Sequence, residues 1–101
     1  MAGVTRFTVT QNGQPSGVIR GHGTFPFNVT GIGVTRTKGV LATLSEVAVG
    51  PTGQFDLPFR GSASMEVLNI SPQDNGSVQL WIQVNWSTDL NLRLQLIRID
   101  D

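Results

Sequence analysis

Apolar and polar residues alternate through most of the chain, and turn-forming residues interrupt them about every ten positions, the spacing of an all-β domain. The first strand is expected near Val4–Thr10, with Phe7 and Val9 on one face. Asn12-Gly13 and Pro15-Ser16-Gly17 mark turns, Val18–Arg20 is a short strand, and Gly21-His22-Gly23 follows. Thr24–Thr30 places Phe25, Phe27 and Val29 together, and Ile32–Thr37 is a strand bent by Gly31 and Gly33. Lys38-Gly39 and Gly50-Pro51-Thr52-Gly53 are turns. Gln54–Arg60 aligns Phe55, Leu57 and Phe59, and Ser62–Ile70 sets Ala63, Met65 and Val67 against Ser64 and Glu66. Ser71–Gly76 is the strongest loop signal.

Residues 40–49 read two ways. Val40, Leu41, Leu44 and Val47 fit a helical period, whereas a strand puts Glu46 on one face with Val40, Ala42, Leu44 and Ala48. No capping residue precedes the segment and its neighbours are strands, so strand is the expectation.

These elements predict a single all-β domain over residues 1–101, an antiparallel β-sandwich or flattened β-barrel of seven to eight strands. Pro26 and Pro58 sit inside two of the strands and lack the N–H that a central strand needs, so both strands belong at sheet edges or bulges. A closed barrel has no edges, which favours the open sandwich.

Ser77–Trp86 and Leu90–Ile99 are the most regular segments. Val78, Leu80, Ile82, Val84 and Trp86 form one apolar row, and Leu90, Leu92, Leu94 and Leu96 form another. A hairpin with the three-residue loop Ser87-Thr88-Asp89 would align them, pairing Trp86 with Leu90, Val84 with Leu92, Ile82 with Leu94 and Leu80 with Leu96. The opposite face would then gather Trp81, Gln83, Asn85, Asn91, Arg93 and Gln95, with Gln79 facing Ile97. An indole among amides and a guanidinium makes this the candidate interface or ligand-binding surface.

Charge sharpens that reading. Seven basic residues balance seven acidic ones, and only 14% of the chain is charged, about half the usual share. The arginines are dispersed and one lysine is present, which argues against nucleic acid as a partner because counterion release needs a clustered positive face. No apolar run approaches the ~20 residues of a membrane span, and Met1–Val4 lacks the basic and apolar regions of a signal peptide. Cysteine is absent, which removes disulfides and thiolate metal sites. His22 is the one histidine, set between two glycines where a positioned base is not expected. No carboxylate spacing singles out a pair, Asp74-Asn75-Gly76 reads as a turn rather than a calcium loop, and no cofactor or metal is expected. Four Asn-x-Ser/Thr triplets, at Asn28, Asn69, Asn75 and Asn85, are attributed to Thr/Ser-rich strands rather than to glycosylation.

The leading expectation is a non-enzymatic structural module that self-assembles into a homo-oligomer, as in a virion or filament. Net neutrality removes the repulsion between copies, and the Trp81 face lacks Lys, Asp and Glu as interface cores do. The alternative is a carbohydrate-binding module or lectin using Trp81 and its flanking amides. A third reading is a small β-barrel in which Phe25, Phe27, Phe55, Phe59 and Met65 line an apolar ligand cavity.

Overall fold

Val, Thr, Ile and Phe at alternating positions favour a pleated, half-buried surface, and the chain forms eight strands with no helix among the described residues. A computed structural model describes residues 3–100. The strands are β1 (Gly3–Thr8), β2 (Ile19–Gly21), β3 (Gly23–Val29), β4 (Val40–Ala48), β5 (Leu57–Phe59), β6 (Met65–Pro72), β7 (Val78–Val84) and β8 (Leu90–Asp100). They build two antiparallel sheets facing each other, the sandwich expected from the alternation. The larger runs β1-β8-β4-β5, with β2 also on β8; the smaller runs β3-β7-β6. Residues 40–48 are strand, as the sequence context indicated.

Both prolines fall where their missing N–H is tolerated. Pro26 lies on β3, an edge of the smaller sheet, and Pro58 on β5, an edge of the larger. β1 and β2 occupy successive stretches of the same edge of β8. Gly3–Thr8 pairs with Gln95–Asp100, Val9 N–H donates to the Leu94 carbonyl at 3.0 Å, and Ile19–Gly21 pairs with Leu90–Leu92. Residues 10–17 bulge out between them, closed by Gly17 N–H on Thr10 Oγ1 (2.9 Å) and Gln11 N–H on the Val18 carbonyl (3.0 Å).

The core lies between the middle strands of the two sheets. Val78, Leu80, Ile82 and Val84 on β7 face Leu92, Leu94 and Leu96 on β8, and all seven are buried. This corrects the expected hairpin. Ile82 pairs with Phe25 and Val67, not Leu94; Leu94 pairs with Leu44. Leu80 and Leu96, and likewise Val84 and Leu92, also belong to separate sheets. Both apolar rows do point into one core, but from opposite sides, and they meet face to face across it. An alternating row carries no information on which of these two arrangements buries it.

The turn between them shows how the crossing is made. Trp86 N–H bonds back to the Val84 carbonyl at 2.9 Å, a reversal over three residues, while Asn85 N–H bonds to Ser64 O at 2.8 Å. β7 therefore stops at Val84, and Trp86 leaves the apolar row to become 45% exposed.

Two other expected strands are shorter or absent. Residues 32–37 are not strand: Gly31 and Gly33 take positive φ (76° and 73°), and the N–H groups of Ile32 and Gly33 both go to Gly76 O instead of a ladder. Ile32 and Val34 are nevertheless buried in the core. Of Gln54–Arg60 only Leu57–Phe59 pairs, because residues 50–54 close on themselves through Gly50 N–H to Gln54 O at 2.7 Å.

At one end of the sandwich an arginine continues the inward row of β8. Arg98 donates from Nε to Asp100 Oδ1 (2.6 Å), from Nη1 to Ile32 O (2.6 Å) and from Nη2 to Thr5 Oγ1 (3.3 Å), and it lies over the Phe7 ring. Thr5 O–H also donates to Asp100 Oδ2 at 2.5 Å. These bonds, with Thr5 first and Arg98 second, hold the Asp100 carboxyl below its ordinary value of 3.8.

Candidate functional site

Because β7 and β8 are in different sheets, the six residues expected on one surface divide into two groups. Trp81, Gln83 and Asn85 remain in a row on the outer side of the smaller sheet. Asn91, Arg93 and Gln95 lie on the outer side of the larger one. Gln95 donates to Thr8 Oγ1 at 3.1 Å. Arg93 is occupied by the loop that follows β4, donating from Nη2 to Asp56 O at 3.1 Å. Val47, on β4 and opposite Pro58, is 3% exposed.

The neighbours that replace them around Trp81 come from the strands on either side of β7. Pro26 on β3 and Asn69 on β6 stand directly opposite Trp81, and Asn28 and Ser71 stand opposite Gln79 in the next outward row. On the other side of Trp81, Thr24 and Glu66 flank Gln83. A β-bulge between Val67 and Asn69 produces this arrangement. Strict alternation would turn Asn69 inward with Met65 and Val67; the extra residue rotates Asn69 and Ser71 outward and returns Ile70 to the core. Leu68, the inserted residue, is left half-exposed.

The result is an open trough of about 570 Å³ lined by Trp81, Pro26, Asn28, Asn69, Ser71 and Gln79. Trp81 is 49% exposed within it. Ser71 O–H donates to Asn69 Oδ1 at 2.8 Å, which leaves the Asn69 amide N–H groups directed elsewhere. The side chains of Asn28, Gln79 and Gln83 form no hydrogen bond among the described residues. The trough thus offers one apolar aromatic surface and several uncommitted amides, without a charged group among its lining residues.

His22 is better placed than its flanking glycines suggested. Its Nδ1 lies 2.5 Å from Asp89 Oδ1. His22 sits where the chain passes from β2 to β3 and Asp89 where it passes from β7 to β8, so the contact ties together two crossings between the sheets. Sequence reasoning missed the pair because its members are 67 residues apart. The adjoining Gly21 leaves room for the Phe25 ring: a Cβ there would stand 2.5 Å from it. No group of three or more His, Cys, Asp or Glu is arranged to hold a metal ion among the described residues.

No protein-family model, curated protein or solved structure matches this chain, and its own geometry is therefore the basis for reading its function.

Proposed function

We propose that the protein is a carbohydrate-binding module that takes neutral glycan chains across the outer face of β3-β7-β6. The observation that carries the proposal is the trough itself: a half-exposed indole between Pro26 and Asn69, with the amides of Asn28, Gln79 and Asn69 along its length. A pyranose ring has an apolar C–H face and an equatorial rim of hydroxyls. The indole covers the first, and primary amides, which both donate and accept, match the second. A neutral chain needs no compensating charge, in keeping with a trough lined by uncharged residues. The division of the expected six-residue patch also weakens the case for Trp81 as a protein interface, since Arg93 is no longer beside it.

Binding to a panel of immobilised neutral glycans tests the proposal. Retention of at least one glycan class is expected, with a loss of at least ~30-fold in affinity for Trp81→Ala, the ~2 kcal/mol typical of a central aromatic anchor. Failure to retain any glycan, or equal binding by Trp81→Ala, refutes it.

Self-assembly is supported by a different surface. Val4 (67% exposed) is opposite Ile99, and Leu41 (56% exposed) is opposite Ile97, which gives an apolar group on the outer face of the larger sheet, bordered by Arg6 on the β1 side of Ile97. Contiguous apolar surface of this kind marks interaction sites. If copies associate there, Leu41→Asp should lower the sedimenting mass while Trp81→Ala leaves it unchanged.

A further inference from the structure

The end of the sandwich opposite Arg98 is left open, and the residues that line it come from four separate segments. Glu46 projects from β4 on the inward row that Val40, Ala42 and Leu44 begin. Phe59 is directly opposite it on β5, Gly61–Ala63 follow in the link to β6, Trp86 comes from the crossing between β7 and β8, and Leu90 begins β8. Together they line an open pocket of about 230 Å³. Two large aromatic side chains, Phe59 and Trp86, are 44% and 45% exposed here. Glu46 forms no ion pair and no side-chain hydrogen bond among the described residues.

Gly61 makes room for the carboxylate. A Cβ at this position would collide with Glu46 Oε1 and press on Phe59 Cε2 at 3.3 Å. The carboxylate and the aromatic ring thus both pack against the Gly61 backbone, and a side chain there would push them into the pocket. Neither a neutral sugar nor an apolar ligand uses the charge of a carboxylate set beside two exposed aromatic side chains. An organic cation does. Aromatic faces attract a cation through the ring quadrupole, a weakly hydrated alkylammonium gives up its solvent cheaply, and the carboxylate supplies the opposite charge.

We propose that Glu46, Phe59 and Trp86 form a binding site for a small quaternary or alkylated ammonium group. The site is separate from the Trp81 trough, and binding at one does not require binding at the other.

The test uses Trp81→Phe protein, in which Trp86 is the remaining tryptophan, and follows its fluorescence during titration with choline. The uncharged isostere 3,3-dimethylbutan-1-ol and sodium chloride serve as controls. Choline is expected to give a saturable change, with the neutral alcohol at least about tenfold weaker and sodium chloride without effect. Adding Glu46→Gln should weaken choline about tenfold and leave the alcohol unaffected, while Gly61→Ala should weaken both; circular dichroism checks that each variant keeps its fold. Equal response to choline and the alcohol would show an apolar pocket without cation selectivity, and absence of saturation by choline in the millimolar range would show no site; either result overturns the proposal.

Discussion

Cysteine pairs distinguish the two arrangements of β7 and β8 directly, because the chain has no cysteine of its own. Thr24 and Gln83 stand opposite each other on β3 and β7. Pro26, an edge-strand proline, is accommodated with its nitrogen toward solvent, which makes Pro26–Trp81 a non-hydrogen-bonded pair and, two residues along, Thr24–Gln83 another. Opposed Cβ atoms lie about 4.5–5.5 Å apart and closest in such pairs, near the ~3.5–4.5 Å that a disulfide spans. Thr24→Cys with Gln83→Cys should therefore oxidise readily to an intramolecular disulfide. Gln83→Cys with Arg93→Cys, adjacent had the two strands formed a hairpin, should not. Those positions are on the outer sides of sheets about 10 Å apart, beyond the ~7 Å limit between Cα atoms. The Thr24–Gln83 bond closes a loop of about 60 residues, for which the chain-entropy relation gives ~4 kcal/mol. Glu66–Gln83 closes about 18 residues and should add ~3 kcal/mol. With a urea slope of ~2 kcal/mol/M, the first should raise the unfolding midpoint by about 2 M, a gain abolished by reductant. Thiol titration and non-reducing electrophoresis read the bond itself. Efficient closure of Gln83–Arg93 with free thiols at Thr24–Gln83 would refute the two-sheet assignment.

Leu94, fully buried, should lose about 2–5 kcal/mol of stability on change to Ala, whereas Arg93→Ala should cost under ~1 kcal/mol; denaturant unfolding compares them. Asp100→Asn tests the Arg98 end. A carboxyl whose value is lowered by folding contributes stability above its unfolded value of 3.8, and that contribution is lost as pH falls through the lower folded value. The difference in urea midpoint between wild type and Asp100→Asn should therefore be open at neutral pH and close below 3.8. Gly21→Ala places a Cβ 2.5 Å from the Phe25 ring and should cost about 1–3 kcal/mol in thermal or urea unfolding.

The residues that announced themselves were those whose physics is local. Pro26 and Pro58 identified edge strands because a missing N–H has the same consequence in any sheet. Val40–Ala48 was recognisable as strand by its neighbours, and its one discordant residue, Glu46, does lie on the inward row, at the open end rather than in the middle of the core. What could not be read was the partner of each strand. The rows of β7 and β8 specify that they share a core, and either a hairpin or two facing sheets satisfies that. The Trp81 site was half legible for the same reason: Trp81 stayed exposed and kept Gln83 and Asn85 in its row. Its actual flanks, Asn28 and Asn69, depend on strand order and on a bulge. The run Val67-Leu68-Asn69-Ile70, where apolar residues break alternation, was the one local sign of that bulge.

β8 provides the pairing partner for β1, β2 and β4 alike, and it joins Gly3 to Asp100, the first and last described residues. Apart from the short β4–β5 pairing, the larger sheet consequently has no local nucleus. Until Leu90–Asp100 is available, the apolar sides of β1 and β4 have no strand between them, and a loop of more than about 80 residues must close before the outermost pair can form. Folding dominated by such distant pairings falls in the slow range, milliseconds to seconds. During synthesis the smaller sheet is complete in sequence once β7 has emerged, while the larger must wait for the last strand. Its unpaired edges are then the segment most exposed to capture by another copy of the chain.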